Sequence, residues 1–312
     1  MAKVTMDQSA PAAGDTALRT ALAQADLVLG GTGPVLSHLL AAPNGTMISE
    51  AIVARVRGML TSLALQIFGN PDKLSNINEI ERLSDELARN EGVLRFCHAL
   101  AFEAELTESL ERGRGIDQIL SPLMQELIAS PTSEIAELAM QAMTAQSRFV
   151  QSQRRMEASV HELPAELFST VLKMWKAIGQ DDQAEAVKKV RSKAKKDYDE
   201  GAGRAGLLNR LVSSLGEGRL AALDISHAGV AVFATALSAK TSQPRDLAVL
   251  SCHKDQRIRL AIGLRAAGLD EAAIRSQFQT LHKDVELACD LAAMLPDQAQ
   301  SILNDSDLRW SR

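Results

Sequence analysis

Apolar residues along this chain recur at three- and four-residue spacing, the period of a helix face rather than the alternation of a strand. Between Thr46 and Phe68, the residues Ile48, Ile52, Val56, Met59, Leu60, Leu63 and Ile67 form one stripe. Gly69-Asn70-Pro71 then supplies residues that turn left-handed and one that cannot continue a helix. A second helix is predicted over 76–89, with Ile80, Leu83 and Leu87 inward, and Gly92 separates it from, or bends it into, a third over 93–112. Gly113-Arg114-Gly115 is a break, and helices follow over 116–129 and 131–157. The latter opens on Ser130-Pro131, a capping residue followed by proline at the first helical position. Another runs over 163–178 to Gly179, and Asp182 to Glu185 has capping-box spacing for the next. The stretch Leu27-Val28-Leu29-Gly30-Gly31-Thr32-Gly33-Pro34 reads as an interhelical turn.

From Gly201 the patterns shorten: 207–215, 220–225, 227–239, 246–251, 256–267, 270–281 and 285–303. Short helices with tight turns suit a stacked, HEAT-like solenoid, although no strict repeat of 30–50 residues is found. The predicted organisation is a flexible tail over 1–14, a long-helix region over 15–200 and a short-helix region over 201–312, with one continuous domain over the last two as the alternative. The tail is small and polar rather than a secretory leader. No stretch approaches the ~20 apolar residues of a membrane span; 228–237 comes closest.

Composition strengthens the all-α prediction. Of 312 residues, 47 are Ala and 42 Leu, against seven Phe, two Trp and one Tyr. Ala and Leu lead the helix propensities, whereas strands draw on β-branched and aromatic side chains. The net charge of −5 disfavours a phosphate backbone as the general partner. Three dispersed cysteines, Cys97, Cys252 and Cys289, with no CxxC, signal neither a disulfide framework nor a zinc ribbon, so a reduced cytoplasmic setting is expected.

Candidate chemistry is sparse. Gly201-Ala202-Gly203-Arg204-Ala205-Gly206 satisfies GxGxxG, but it follows a charged helix end rather than a buried strand, so it reads as a hinge. Asp197, Asp199 and Glu200 lack the twelfth-position glutamate of an EF-hand loop. The six histidines form no HExxH. Cys97-His98 and Cys252-His253 could pair nucleophile with base only from facing elements. No catalytic, cofactor-binding or metal-ligating residue is assigned, no cofactor is expected, and the chain reads against an enzyme.

Six basic residues fall within nine positions: Lys188, Lys189, Arg191, Lys193, Lys195 and Lys196. With the adjoining Asp197, Tyr198, Asp199 and Arg204 they form the candidate interaction surface. The expected function is a non-enzymatic helical scaffold or regulator that binds another protein. One alternative is a DNA-associated regulator using a helix-turn-helix-like segment at 257–283, with Arg275, Gln277, Gln279, His282 and Lys283 on the second helix. A further alternative is an enzyme with a helical pocket that no motif reveals.

Four passages carry a resemblance: 145–156 (AQSRFVQSQRRM), 162–168 (ELPAELF), 197–204 (DYDEGAGR) and 227–233 (HAGVAVF). Together they resemble an uncharacterised, predominantly helical family of alphaproteobacterial proteins known only as a domain of unknown function. The resemblance implies an all-helical, HEAT-like fold in a bacterial cytosol, and it implies no activity and no site residue.

Overall fold

A helix that is apolar on every side has to lie inside a protein rather than on it. The middle of the helix Glu91–Arg114 is of this kind: Val93, Leu94, Phe96, Cys97, Leu100, Phe102 and Leu106 are buried around its circumference, with Glu103 among them. The computed structural model describes residues 13–41, 49–68, 77–178, 192, 195–282 and 294–306, apart from the side chains at 13, 14, 38–41, 217 and 219. Among these residues there are helices and no strands, so the fold is all-α.

In chain order, α1 is Ala13–Ala41, α2 Glu50–Phe68, α3 Ile77–Arg89 and α4 Glu91–Arg114. Then come α5 Pro122–Ile128, α6 Ser133–Arg154, α7 Ala165–Ile178 and α8 Arg204–Ser214. The chain continues through α9 Ile225–Thr241, α10 Arg245–Ser251, α11 Arg257–Ala266, α12 Glu271–Leu281 and α13 Pro296–Asn304. The central α4 meets α1, α2, α3, α6, α9, α10 and α12. Its ends are chemically fixed. The Asn90 side chain accepts from the Val93 amide, and Gly115, at φ 69°, donates to the Glu111 carbonyl.

The apolar stripes place most helices as the sequence predicts. All of Ile52, Val56, Met59, Leu60, Leu63 and Ile67 on α2 are buried, as are Leu83 and Leu87 on α3. By length and composition α2 alone among the described helices could cross a membrane, which the sequence expectation missed. Here its stripe fills the core, and Arg55 on it pairs with Glu108 of α4 at 2.7 Å.

The turn expected over 27–34 is absent. Helix α1 runs through Gly30, Gly31, Gly33 and Pro34 without a break. Leu18, Leu22, Ala25, Leu29 and Leu36 sit buried at helical spacing against α4 and α11, and that packing overrides weak local propensity. Helix α5 begins later than expected because the Asp117 carboxylate accepts from the Ile119 and Leu120 amides, closing a turn ahead of the Ser121 cap.

The short C-terminal helices do not stack only on their sequence neighbours, as repeats of a solenoid do. Helix α10 packs on α4, α11 on α1 and α13 on α11. A single apolar core runs from Leu18 to Leu303. The proposed subdivision near residue 200 is bridged by that core and by the ion pairs described next.

Candidate binding site

Deep in α4, Glu103 is fully buried, in the middle of the apolar run that makes this helix central. Burial on its own would raise the pKa of such a carboxyl. Two guanidiniums reverse that tendency. Arg204, at the first turn of α8, reaches Oε1 and Oε2 at 2.7 and 3.0 Å. Arg245, at the start of α10, reaches the same two oxygens at 2.7 and 2.9 Å. Their charges and hydrogen bonds hold the Glu103 carboxyl well below the usual carboxylate range.

Arg204 is itself 2 % exposed. Its Nε donates to Glu162 at 3.1 Å, Nη1 also donates to Gln146 at 3.1 Å, and the guanidinium lies 3.6 Å from the centre of the Phe149 ring. Burial would lower its pKa, but Glu103 and Glu162 together raise it. Arg245 Nε donates to Thr235 Oγ1 at 2.9 Å, and Nη2 also reaches the Ala231 carbonyl. The four side chains sum to zero formal charge, so the cluster is neutral as a unit.

This cluster forms the floor of a cleft of about 500 Å³. Phe96, Ala99 and Leu100 of α4, Leu163, Pro164 and Leu167 at the head of α7, and Ala205 of α8 supply apolar walls. The segment 242–246 closes one side, and Glu162, Glu166, Glu200 and Asp246 bring carboxylates to the lining. A second cavity of about 330 Å³ shares Leu100, His161, Glu162, Gly203 and Arg204 with the first, so the two hollows flank one turn.

The GxGxxG stretch acts here as a tight joint. Its first two residues fall in the 3₁₀ turn Glu200–Ala202, and Gly203 caps α8. A Cβ at Gly203 would stand 2.7 Å from the His161 carbonyl, and one at Gly206 would stand 2.5 Å from that of Glu200. Hydrogen at these positions lets two turns seat directly on α8, which delivers Arg204 to Glu103.

The residues singled out from the sequence land in different places. Lys188, Lys189, Arg191 and Lys193 lie outside the described residues; Lys195, Lys196, Asp197 and Asp199 are exposed. Tyr198 stacks on Phe168 at 4.1 Å and donates to the Leu163 carbonyl at 2.6 Å, pinning its segment to the head of α7. Arg204, expected on the exposed surface with them, is instead interior, because only there does it meet Glu103 and Glu162. Helices α4 and α10 do face each other and bring His98 near His253, but none of Cys97, His98, Cys252 and His253 lines the hollows that His161 lines. Burial pushes both the Cys97 and Cys252 thiols up to about 12, far from a thiolate at neutral pH. His98, buried and beside His253, is lowered to about 4.

On the helix-turn-helix alternative, Gln277 points inward and accepts from the Ile225 amide, Arg275 is tied to Glu271 on its own helix, Gln279 is exposed and His282 is half-buried. Lys283 and Cys289 lie outside the described residues. Among the described residues no cluster of His, Cys, Asp or Glu has the geometry to hold a metal ion. Glu103, Gln146, Glu162 and Arg245 were not singled out by sequence reasoning. The one available signal was Glu103, a carboxylate inside the apolar run Phe96 to Leu106.

Comparison with family models, with curated proteins and with solved structures finds no match to this chain.

Proposed function

We propose that this protein is a helical interaction and regulatory scaffold that holds part of a partner protein in the cleft between α4, α7 and the 242–246 segment. One observation carries this reading: a preformed apolar cleft stands over a charged floor whose strong groups already satisfy one another. Apolar walls favour an apolar guest by about 25 cal/mol per Å² removed from water. The floor adds rigidity, since each guanidinium is held by several partners, and Glu103 spends both oxygens on arginine. Such a floor suits recognition of shape better than proton transfer, for which a base needs a free lone pair and a pKa near neutrality.

The two hollows either side of the 160–162 turn make the surface elongated, which favours a stretch of chain over a compact small molecule. The exposed Lys195 and Lys196 line neither hollow, so the basic contact surface expected from the sequence is a face separate from this cleft. A cytoplasmic, bacterial setting and kinship with the helical domain-of-unknown-function family belong to the same proposal. A photo-crosslinking amino acid at the exposed Glu166 tests it in cells. A discrete protein adduct that disappears when Leu167→Asp is added supports the reading. Adducts that are diffuse, or indifferent to Leu167→Asp, overturn it.

A further inference from the structure

The lining charges of the cleft are lopsided once internal pairing is taken into account. Arg204 and Arg245 face the floor and are held by Glu103, and Arg95 is bound to Glu91 at 3.2 Å. The carboxylates are arranged the other way. Glu166 sits in the exposed first turn of α7 and Glu200 in the exposed 3₁₀ turn opposite. Glu162 gives one oxygen to Arg204 while keeping 15 % of its side chain exposed. The mouth is therefore negative and the walls apolar. Burial, and after it Glu200 and Asp199, push the phenol of Tyr198 up to about 12.

We infer that the segment received by this cleft is basic and amphipathic. It inserts a bulky apolar side chain between Leu100 and Leu167 and sets lysine or arginine on either side against Glu166 and Glu200. This inference rests on the docking role proposed above and names the chemistry of the partner. Opposite charges at the rim of an interface govern choice of partner and rate of encounter, while the apolar anchor supplies most of the affinity.

The probe is a fluorescein-labelled peptide with a Leu-Trp-Leu core flanked on each side by Lys-Arg, compared with the same core flanked by Glu-Asp. Fluorescence anisotropy is read on the whole protein at low and at raised salt. The basic peptide should bind at least about tenfold tighter at low salt, and the difference should shrink as salt screens it. Glu166→Lys combined with Glu200→Lys, both on exposed turns, should invert the preference. Leu167→Asp should weaken both peptides. An acidic peptide that binds equally well or better overturns the inference about charge and leaves the docking role standing. A basic peptide whose affinity ignores Leu167→Asp is held elsewhere on this acidic chain, and that also overturns the inference. If neither peptide binds while the Glu166 crosslink still captures a protein, the cleft has a partner of other chemistry; if both fail, the docking role falls too.

Discussion

Glu103 holds two arginines at once, and removing its charge should be costly in a way that removing Glu162 is not. In Glu103→Gln, a buried Arg204 and a largely buried Arg245 lose their shared counter-charge, a defect of about 3–5 kcal/mol by analogy with broken interior ion pairs. Glu162→Gln leaves Arg204 still bidentate to Glu103 and relaxes partly into solvent, so about 1 kcal/mol is expected. Urea denaturation of the two variants checks the ranking, and equal losses would contradict the network. His98 gives the chain an acid sensitivity of its own. Its folded pKa of about 4 lies below the ordinary 6.5, chiefly through burial and secondarily through His253. The unfolded chain therefore takes up this proton first, and stability falls as pH drops from about 6.5 to about 4. The full shift corresponds to roughly 3 kcal/mol. His253 and His282 are lowered too, so they add to the slope in the same direction. Glu103, held low, contributes its own loss once pH falls through the usual carboxylate range, where the unfolded chain takes up that proton first. His98→Gln should flatten the stability profile between about pH 6.5 and 4.5; an unchanged slope would mean that His98 is not held neutral in the fold.

Helices were legible because their signal is local and repeated. The stripes on α2 and α3 can be read from neighbours in sequence, whereas the start expected at Ser130-Pro131 is not used: α6 begins at Ser133 behind Thr132, and it is α5 that opens on a capping serine and proline, Ser121-Pro122. Where a helix depends on tertiary contact the reading fails, as in α1, whose glycines and Pro34 argue locally for a turn while its leucines are held by α4 and α11. The joint at 200–206 failed for a related reason: GxGxxG spells flexibility in isolation, and only the carbonyls of Glu200 and His161 show that the glycines serve close approach. That difference is measurable. Glycine to alanine inside a helix ordinarily stabilises by about 0.5–1 kcal/mol. Gly113→Ala, at a position in α4 where an added Cβ meets nothing within 4 Å, should follow that rule. Gly206→Ala should run against it and lose about 1–3 kcal/mol, because the new methyl displaces the Glu200 turn from α8. Thermal melts of the two variants moving in the same direction would restore the hinge reading.

The cleft was almost illegible in the sequence because its parts come from four distant stretches: Glu103, Glu162, Arg204 and Arg245. No spacing rule connects them, and apart from Glu103, set inside an apolar run, each alone resembles an ordinary surface charge. What unites them is a core that ignores the change of texture at residue 201, and this bears on how the molecule should unfold. A second buried pair, Asp26 of α1 with Arg259 of α11, ties the first described helix to the short-helix region, and Ser306 and Gln243 complete its hydrogen bonds. Two weakly joined domains would unfold in separate steps; a shared core with crossing ion pairs should unfold in one. Trp175, buried in α7, reports on the long-helix region, and Trp310→Phe leaves it as the only tryptophan. In that background its fluorescence and the far-ultraviolet circular dichroism should trace one coincident urea transition. Arg259→Met then serves as the decisive perturbation, since it lies in the opposite region and leaves Asp26 buried without its counter-charge. If the molecule is one cooperative unit, the Trp175 transition shifts to lower urea together with the dichroism. If Trp175 stays where it was while the dichroism splits into two steps, the short-helix region is an independent domain and the cleft is an interface between two bodies.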